Sequence, residues 1–100
     1  MQEKDKIQNN IENKIQKKIK ELKQKSKELT PSVRIGKNGI TSNALLEIDF
    51  ALKKKHLIKV KLLPAFIEEH DKKEACEKIA KSLRAQVISM TGSIIVLYKG

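Results

Sequence analysis

Apolar residues in the first thirty positions recur at a helical spacing. Ile7, Ile11, Ile15, Ile19 and Leu22 form one narrow stripe, and lysines occupy most of the surface around it. A stripe this narrow predicts a long helix that must pack on something else to be stable, and the spacing also permits a coiled coil. Thr30-Pro31-Ser32 ends the helix, because the residue before a proline is disfavoured in the α region.

The same spacing predicts two further helices. The helix over residues 42–55, with Thr41 as its N-cap, would bury a face made of Ala44, Leu45, Ile48, Ala51 and Leu52. Leu46 and Phe50 point away from that face and would need a cover. The third helix begins at the capping box Asp71-Lys-Lys-Glu74, ends near Arg84, and buries Ala75, Cys76, Ile79, Ala80 and Leu83.

Strict alternation predicts the clearest strand, Leu57–Leu63. Its apolar positions alternate with Lys59 and Lys61, which gives one buried face and one basic face, and Pro64 stops the strand. Val33–Ile35 is a short strand by its β-branched content, and residues 86–90 and 94–98 form a hairpin around Thr91-Gly92-Ser93. The second hairpin strand is nearly all apolar, so both of its faces should be covered.

The resulting order is α-β-α-β-α-β-β. It predicts the α/β fold class, as a single compact domain with a four-stranded mixed sheet packed with helices. The residues that we expect in the core are Ile58, Val60, Leu62, Ile79, Leu83 and Val96.

The net charge of the chain indicates what kind of partner it binds. The 100 residues include 22 Lys and Arg against 12 Asp and Glu, a formal net charge of +10. This excess indicates nucleic acid or an anionic membrane surface, and a basic protein without a polyanionic partner is the alternative. Cys76, the only cysteine, cannot form an internal disulfide and is interpreted as a core residue, which suits a reducing, cytoplasmic location. We expect neither a secretory signal nor a membrane span.

Gly36-Lys-Asn-Gly39 joins a predicted strand to a predicted helix. A glycine at each end would let the backbone approach a ligand, while the helix offers free N–H groups and Lys37 adds a positive charge. A phosphate matches this turn; the alternative is that it is only a tight turn. Arg34 beside it, and Lys59 and Lys61 on one strand face, complete the candidate binding residues: Arg34, Gly36, Lys37, Asn38, Gly39, Lys59 and Lys61.

No stretch carries a catalytic pattern. Glu68-Glu69-His70-Asp71 could be imagined as metal ligands, but we interpret it as solvated acids in a loop before a helix, and His56 as a surface residue. The glycine turn lacks the spacing of a P-loop. We therefore expect no enzyme activity, no metal and no cofactor. Because Phe50, Phe66 and Tyr98 are the only aromatic residues, binding should depend on phosphates, backbone amides and shape rather than on stacked bases.

In this order, these segments resemble the CRM domain, the YhbY-like family of RNA-binding proteins, over about residues 22–99. The resemblance rests on Leu29-Thr-Pro, Val33-Arg-Ile-Gly-Lys-Asn-Gly-Ile-Thr41, Ala51-Leu through Leu57-Ile-Lys-Val-Lys61, and Gly92-Ser-Ile-Ile-Val-Leu-Tyr-Lys99. It implies a fold like that of the C-terminal domain of translation initiation factor three. It also implies that Gly36, Lys37, Asn38 and Gly39 contact RNA. Residues 22–100 are then the domain, and residues 1–21 are a basic N-terminal extension of the first helix.

The resemblance also implies a function. Single-domain members of the family are associated with the precursor of the large ribosomal subunit, and plant relatives with several such domains help splice group II introns. We therefore expect a cytoplasmic, monomeric RNA-binding protein that contacts ribosomal RNA during large-subunit assembly, with no membrane partner and no small-molecule substrate. The alternatives are an intron-splicing or transfer-RNA cofactor, a small basic chromatin-type protein that coats duplex DNA, and a protein-interaction module built on the long first helix.

Three features depart from the family pattern. Leu46 and Phe50 stand where polar residues are usual, the first helix is longer, and Leu83-Arg84-Ala85 replaces a Thr-Gly-Ala-like ending. The first two departures suggest one hypothesis, that the longer helix partly covers Leu46 and Phe50.

Overall fold

The computed structural model describes the backbone of residues 2–100 and the side chains of residues 11–100. In chain order its elements are α1 (Gln2–Ser26), β1 (Pro31–Ile35), α2 (Ser42–Lys55), β2 (Leu57–Leu62), α3 (Pro64–Glu69), α4 (Lys72–Leu83), β3 (Gln86–Thr91) and β4 (Ile94–Tyr98). The predicted α/β class and its four strands are confirmed. The predicted order lacked α3, which lies where a loop was expected.

The four strands form one mixed sheet in the order β1-β2-β4-β3. β1 is parallel to β2, and the other two pairs are antiparallel. A parallel pair needs a crossover, and α2 supplies it between β1 and β2. This arrangement leaves β1 at one edge of the sheet, with the glycine turn at its end.

The main core lies between the sheet and the layer formed by α2, α3 and α4. Nine of its side chains are at most 1% exposed: Ile48, Leu52, Ile58, Val60, Leu62, Phe66, Ile79, Ile95 and Leu97. Leu83 is only half-buried against this cluster. Cys76 belongs to the cluster, as predicted, and burial together with the negative charge of Glu77 raises the pKa of its thiol.

α1 covers the opposite face of the sheet. Ile19 and Leu22 of the predicted stripe pack against the apolar side chains Leu57, Ile88, Val96 and Tyr98. β4 is therefore covered on both faces, as predicted, because Ile95 and Leu97 face the main core while Val96 faces α1. The sheet is the middle of three layers.

The hypothesis that the long first helix covers Leu46 and Phe50 is wrong. α1 and α2 pack on opposite faces of the sheet, and Leu46 and Phe50 are 65% and 69% exposed. The physical reason is that the face of β3 and β4 offers the stripe a broader apolar surface than two isolated side chains on α2. Ile11 and Ile15 are each 52% exposed, and the side chain of Ile7 lies outside the described residues.

Local chemistry sets the helix ends. The Thr41 hydroxyl accepts from the Ala44 N–H at 3.1 Å, and Asp71 Oδ1 accepts from the Lys73 N–H at 2.7 Å, so both predicted caps are confirmed. Pro64 does end β2, but it also begins α3, because proline is well suited to the first helical position. Glu68 and Glu69 are thus helical, not part of a loop as predicted.

Arg84 closes α4 in the left-handed region, with φ 53° and ψ 39°. An L-residue there costs about 1–2 kcal/mol relative to the right-handed region. Arg84→Gly is therefore expected to stabilise the protein by about 0.5–1 kcal/mol after the greater freedom of glycine in the unfolded chain is subtracted. Thermal denaturation followed by circular dichroism measures the gain. Arg84→Ala removes the charge but keeps Cβ, and an equal gain in that control would contradict the explanation.

Candidate nucleic-acid interface

The glycine turn is a hydrogen-bonded β-turn. The Gly39 N–H donates to the Gly36 carbonyl at 3.1 Å, and the Thr41 N–H donates to the Gly39 carbonyl at 3.1 Å. Lys37 and Asn38 form its exposed tip. The two hydrogen bonds fix the tip relative to the start of α2.

The two glycines of the turn have different structural constraints. Gly39 has φ +77°, and a Cβ there would lie 3.2 Å from Nε2 of His70. Gly36 lacks a positive φ, and its Cβ would lie 3.7 Å from Cδ1 of Leu63, which is an ordinary contact. The fold therefore requires glycine at position 39 but has room for an alanine at position 36, where close approach of a ligand would be a reason for glycine.

His70 connects the turn to the core. The His70 ring stacks on the Phe66 ring with centroids 4.6 Å apart, and the backbone N–H of His70 donates to the Phe66 carbonyl at 2.9 Å. Phe66 is 1% exposed, so the exposed His70 ring rests on a side chain that belongs to the core. α3 thus supports the turn from below, a role that the sequence analysis missed because no local pattern links His70 to Gly39.

The N-terminus of α2 faces the same turn. The Ala44 N–H is taken by the Thr41 hydroxyl, and the Leu45 N–H donates to the Thr41 carbonyl at 3.0 Å. Ser42 and Asn43 come before these residues in the first turn, so their N–H groups have no acceptor within the helix. The first turn of α2 contains no acidic residue, so no carboxylate in that turn offsets the partial positive charge of the helix end.

The structure brings the three predicted cations of the sheet together. Arg34 of β1 is exposed and lies opposite Lys61 of β2, on the face away from the main core, and half-buried Lys59 is two residues along β2 on that face. Neighbouring strands are about 4.8 Å apart. These side chains therefore lie at the β1 edge, immediately before the turn that carries Lys37.

Two further cations, Lys23 and Lys27, were missed as members of this cluster. Together with Lys59 and Ser89 they line a groove of about 400 Å³ between α1 and the sheet. Ser26, only 5% exposed at the end of α1, donates its hydroxyl to the Lys23 carbonyl at 2.6 Å within the helix, so its buried hydroxyl is satisfied. Lys23 and Lys27 are four residues apart, so the sequence places them on one side of the chain. Only the packing of α1 on the sheet places them beside Lys59.

Within the described side chains of residues 11–100, these cations have no carboxylate partner. Among residues 11–100, the one side-chain ion pair within 4.0 Å joins Lys53 to Asp49 at 3.0 Å on α2. Arg34, Lys37 and Lys61 take no part in this ion pair. Their charge is therefore available to an external anion.

The other side of the glycine turn is acidic. A pocket of about 430 Å³ beside Asn38 and Gly39 is lined by three carboxylates, Glu69, Asp71 and Glu74, against a single lysine, Lys78. Carboxylates repel a phosphate, so an anion should approach the turn from the Arg34 side. Within the described part of the chain, no group of three or more His, Cys, Asp or Glu side chains could hold a metal ion, and no helix is long and apolar enough to cross a membrane.

Comparisons with known proteins agree with this architecture. The family model of the CRS1 / YhbY (CRM) domain matches residues 15–99. Over 78 residues the chain is 38% identical to the "Probable RNA-binding protein YqeI" of Bacillus subtilis, covering 78% of this chain and 79% of that protein. It is 40% identical over 78 residues to the "Probable RNA-binding protein MJ0652" of Methanocaldococcus jannaschii, covering 78% of this chain but only 58% of that protein. The solution structure of the hypothetical protein SAV1595 from Staphylococcus aureus superposes with a TM-score of 0.70 at 32% identity, covering 84% of this chain and 85% of that one.

Proposed function

The chain belongs to the CRS1 / YhbY (CRM) domain family, and we propose that it is an RNA-binding protein that contacts ribosomal RNA during assembly of the large ribosomal subunit. The observation that carries the proposal is the group of cations at the β1 edge, beside a fixed glycine turn, which form no ion pair with the described carboxylates of residues 11–100. The names of the relatives support RNA as the polyanion. We assign the protein to the cytoplasm as a monomer without catalytic activity.

The geometry suggests how RNA would be held. One phosphate lies against the backbone of Gly36–Gly39, where the amides of Ser42 and Asn43 can donate and Lys37 supplies charge. Arg34, Lys59 and Lys61 take neighbouring phosphates along the edge of the sheet. Such contacts recognise the position and shape of the backbone, so sequence preference would be modest.

Salt should weaken the complex. Displacing counterions from about 3–5 phosphates of a partly single-stranded site gives a slope of roughly −2 to −4 in a plot of log affinity against log salt concentration. Fluorescence anisotropy with a labelled RNA hairpin, repeated at several KCl concentrations, measures this slope. A flat plot would remove the electrostatic basis of the proposal.

Competition distinguishes the proposal from a chromatin-type protein. Unlabelled structured RNA should displace the labelled hairpin at a concentration about tenfold or more below that of duplex DNA of equal length and charge, a difference of about 1.4 kcal/mol. Equal displacement by the two competitors would instead favour a protein that coats duplex DNA.

The identity of the RNA is tested in cells. Crosslinking followed by sequencing should recover fragments of large-subunit ribosomal RNA, concentrated in unfinished particles. Recovery mainly of introns or transfer RNA would leave RNA binding intact but replace the ribosomal assignment with the corresponding alternative.

A further inference from the structure

A second basic pocket lies at the opposite end of β2 from the glycine turn. It has a volume of about 490 Å³ and is formed where the end of α1, the connection from α2 to β2 and the end of β4 meet. Its apolar wall consists of Leu22, Leu29, Leu57 and Tyr98. A volume of this size falls within the range of small-molecule sites, about 300–1,000 Å³.

Cations surround this apolar wall. Lys25, Lys55 and His56 complete the lining, and neither lysine belongs to the ion pair found among residues 11–100. Nζ of Lys18 lies 5.1 Å from the centroid of the Tyr98 ring. The pocket thus combines an aromatic and aliphatic wall with a positively charged rim.

His56 has a strained backbone at this rim. Its φ of 67° and ψ of −39° are rare for an L-residue, and such strain clusters at functional sites. Three contacts keep His56 in this conformation. The backbone N–H of His56 donates to the Leu52 carbonyl at 2.8 Å, and the His56 carbonyl accepts from the Lys99 N–H at 2.9 Å. Nδ1 of His56 lies 3.0 Å from the Lys99 carbonyl oxygen. Because a carbonyl only accepts, Nδ1 donates, so in the neutral form of the ring Nε2 is left as an acceptor.

We propose that this pocket, between the end of α1 and Tyr98, binds one unpaired nucleotide of the RNA that is held at the glycine turn. The inference rests on the proposed function and extends it to a second contact point. A base has apolar faces that suit Leu57 and Tyr98, while its phosphate suits Lys25 and Lys55. The Nε2 acceptor offers a partner for an amino group of the base or a 2′-hydroxyl.

The two sites lie along one basic strand. Leu57 borders the pocket, Lys61 lies near the glycine turn, and Lys59 is between them on the same face of β2. Four residues of strand span about 13 Å. A base inside a duplex stays stacked and cannot enter the pocket, so the site selects RNA with an unpaired segment next to a structured one.

The two histidines, one at each site, allow a direct test, because they are the only histidines in the chain. His70 lies under the glycine turn, and His56 lies at the pocket. The full chain is titrated with a blunt RNA hairpin and with the same hairpin carrying an unpaired six-nucleotide flank, while the imidazole C–H signals are followed by NMR. We expect both RNAs to shift the His70 signals, only the flanked RNA to shift those of His56, and the flank to raise affinity about tenfold.

A charge-matched pair of variants locates the effect of the flank. Lys25→Glu with Lys55→Glu should abolish the gain, so that both hairpins bind within about twofold of each other. Lys73→Glu with Lys81→Glu changes the net charge equally on exposed positions of α4 and should keep the gain. Circular dichroism establishes that both variants are folded.

Each outcome decides the inference. Shifts at His70 without shifts at His56 for the flanked RNA would overturn the pocket assignment and leave the proposed function standing. Loss of the gain in both variants would attribute it to diffuse charge and overturn the assignment as well. AMP or UMP that shifts His56 when the flanked hairpin does not would assign the pocket to free nucleotides instead. If neither RNA binds in the affinity measurement, the proposed function fails, and the inference fails with it.

Discussion

Phe66→Ala is expected to lower the free energy of unfolding by about 3–5 kcal/mol, because it empties a site that is 1% exposed in the main core. That is a large part of the 5–15 kcal/mol that stabilises a typical domain. It should also weaken RNA binding several-fold, because the ring supports His70, which lines the same pocket as Gly39. Urea denaturation measures the first effect, and anisotropy with an RNA hairpin at a temperature where the variant is folded measures the second.

Two comparison variants separate packing from support of the turn. Phe66→Leu keeps more of the apolar volume, so it should cost less than the alanine variant, yet it removes the stack on His70 and should lose affinity like the alanine variant. Ile79→Ala should cost about 2–5 kcal/mol in the same core without touching the turn, and its affinity should be unchanged. If affinity followed stability across the three variants, the stack would have no role of its own.

Most helices and strands could be predicted from the sequence, because caps and apolar periodicity within each segment determine them. α2 has its predicted bounds, since Thr41 caps it and its apolar residues repeat at the helical period against a single sheet face. β2 alternates strictly, and it ends at Leu62 just before Pro64. The cap at Asp71 follows from one side chain and two neighbouring amides. Each of these features depends on neighbouring residues alone.

The wrong predictions concern features that a short stretch of sequence does not determine. α3 has only six residues, too few to show a period, and Pro64 fits the end of a strand and the start of a helix equally well. The stripe on α1 indicated that the helix must pack on something, but it could not tell the face of β3 and β4 from Leu46 and Phe50 on α2. That choice depends on which apolar surface remains open after the sheet has formed.

The candidate site divides in the same way. Gly36–Gly39, Arg34 and Lys61 could be selected because the turn and the strand alternation are visible in the sequence, and the strand pairing then places Arg34 opposite Lys61. Lys23, which lies beside Lys59, and His70, which lies under Gly39, could not be found, because each joins the site through a tertiary contact.

Lys37→Asp with Asn38→Asp is expected to lower affinity for structured RNA by about tenfold or more. It puts two carboxylates at the tip of the turn, where a phosphate is proposed to lie, and reversing a charge at a close contact can exceed 1.4 kcal/mol. Both positions are exposed and outside the core, so the melting temperature should change little. Anisotropy with a hairpin RNA and thermal denaturation followed by circular dichroism measure the two quantities.

The control is Lys81→Asp with Ser82→Asp, at exposed positions in the last turn of α4. In each pair the lysine contributes a change of −2 and the neutral residue −1, so both variants fall from a net charge of +10 to +7. α4 packs on the opposite face of the sheet from Arg34 and Lys61, far from the proposed phosphate positions. If both variants weaken binding alike, affinity depends on total charge and the turn has no special role. If only the turn variant loses affinity while its circular dichroism is unchanged, the contact lies at Gly36–Gly39, because net charge and folding are then the same in both proteins.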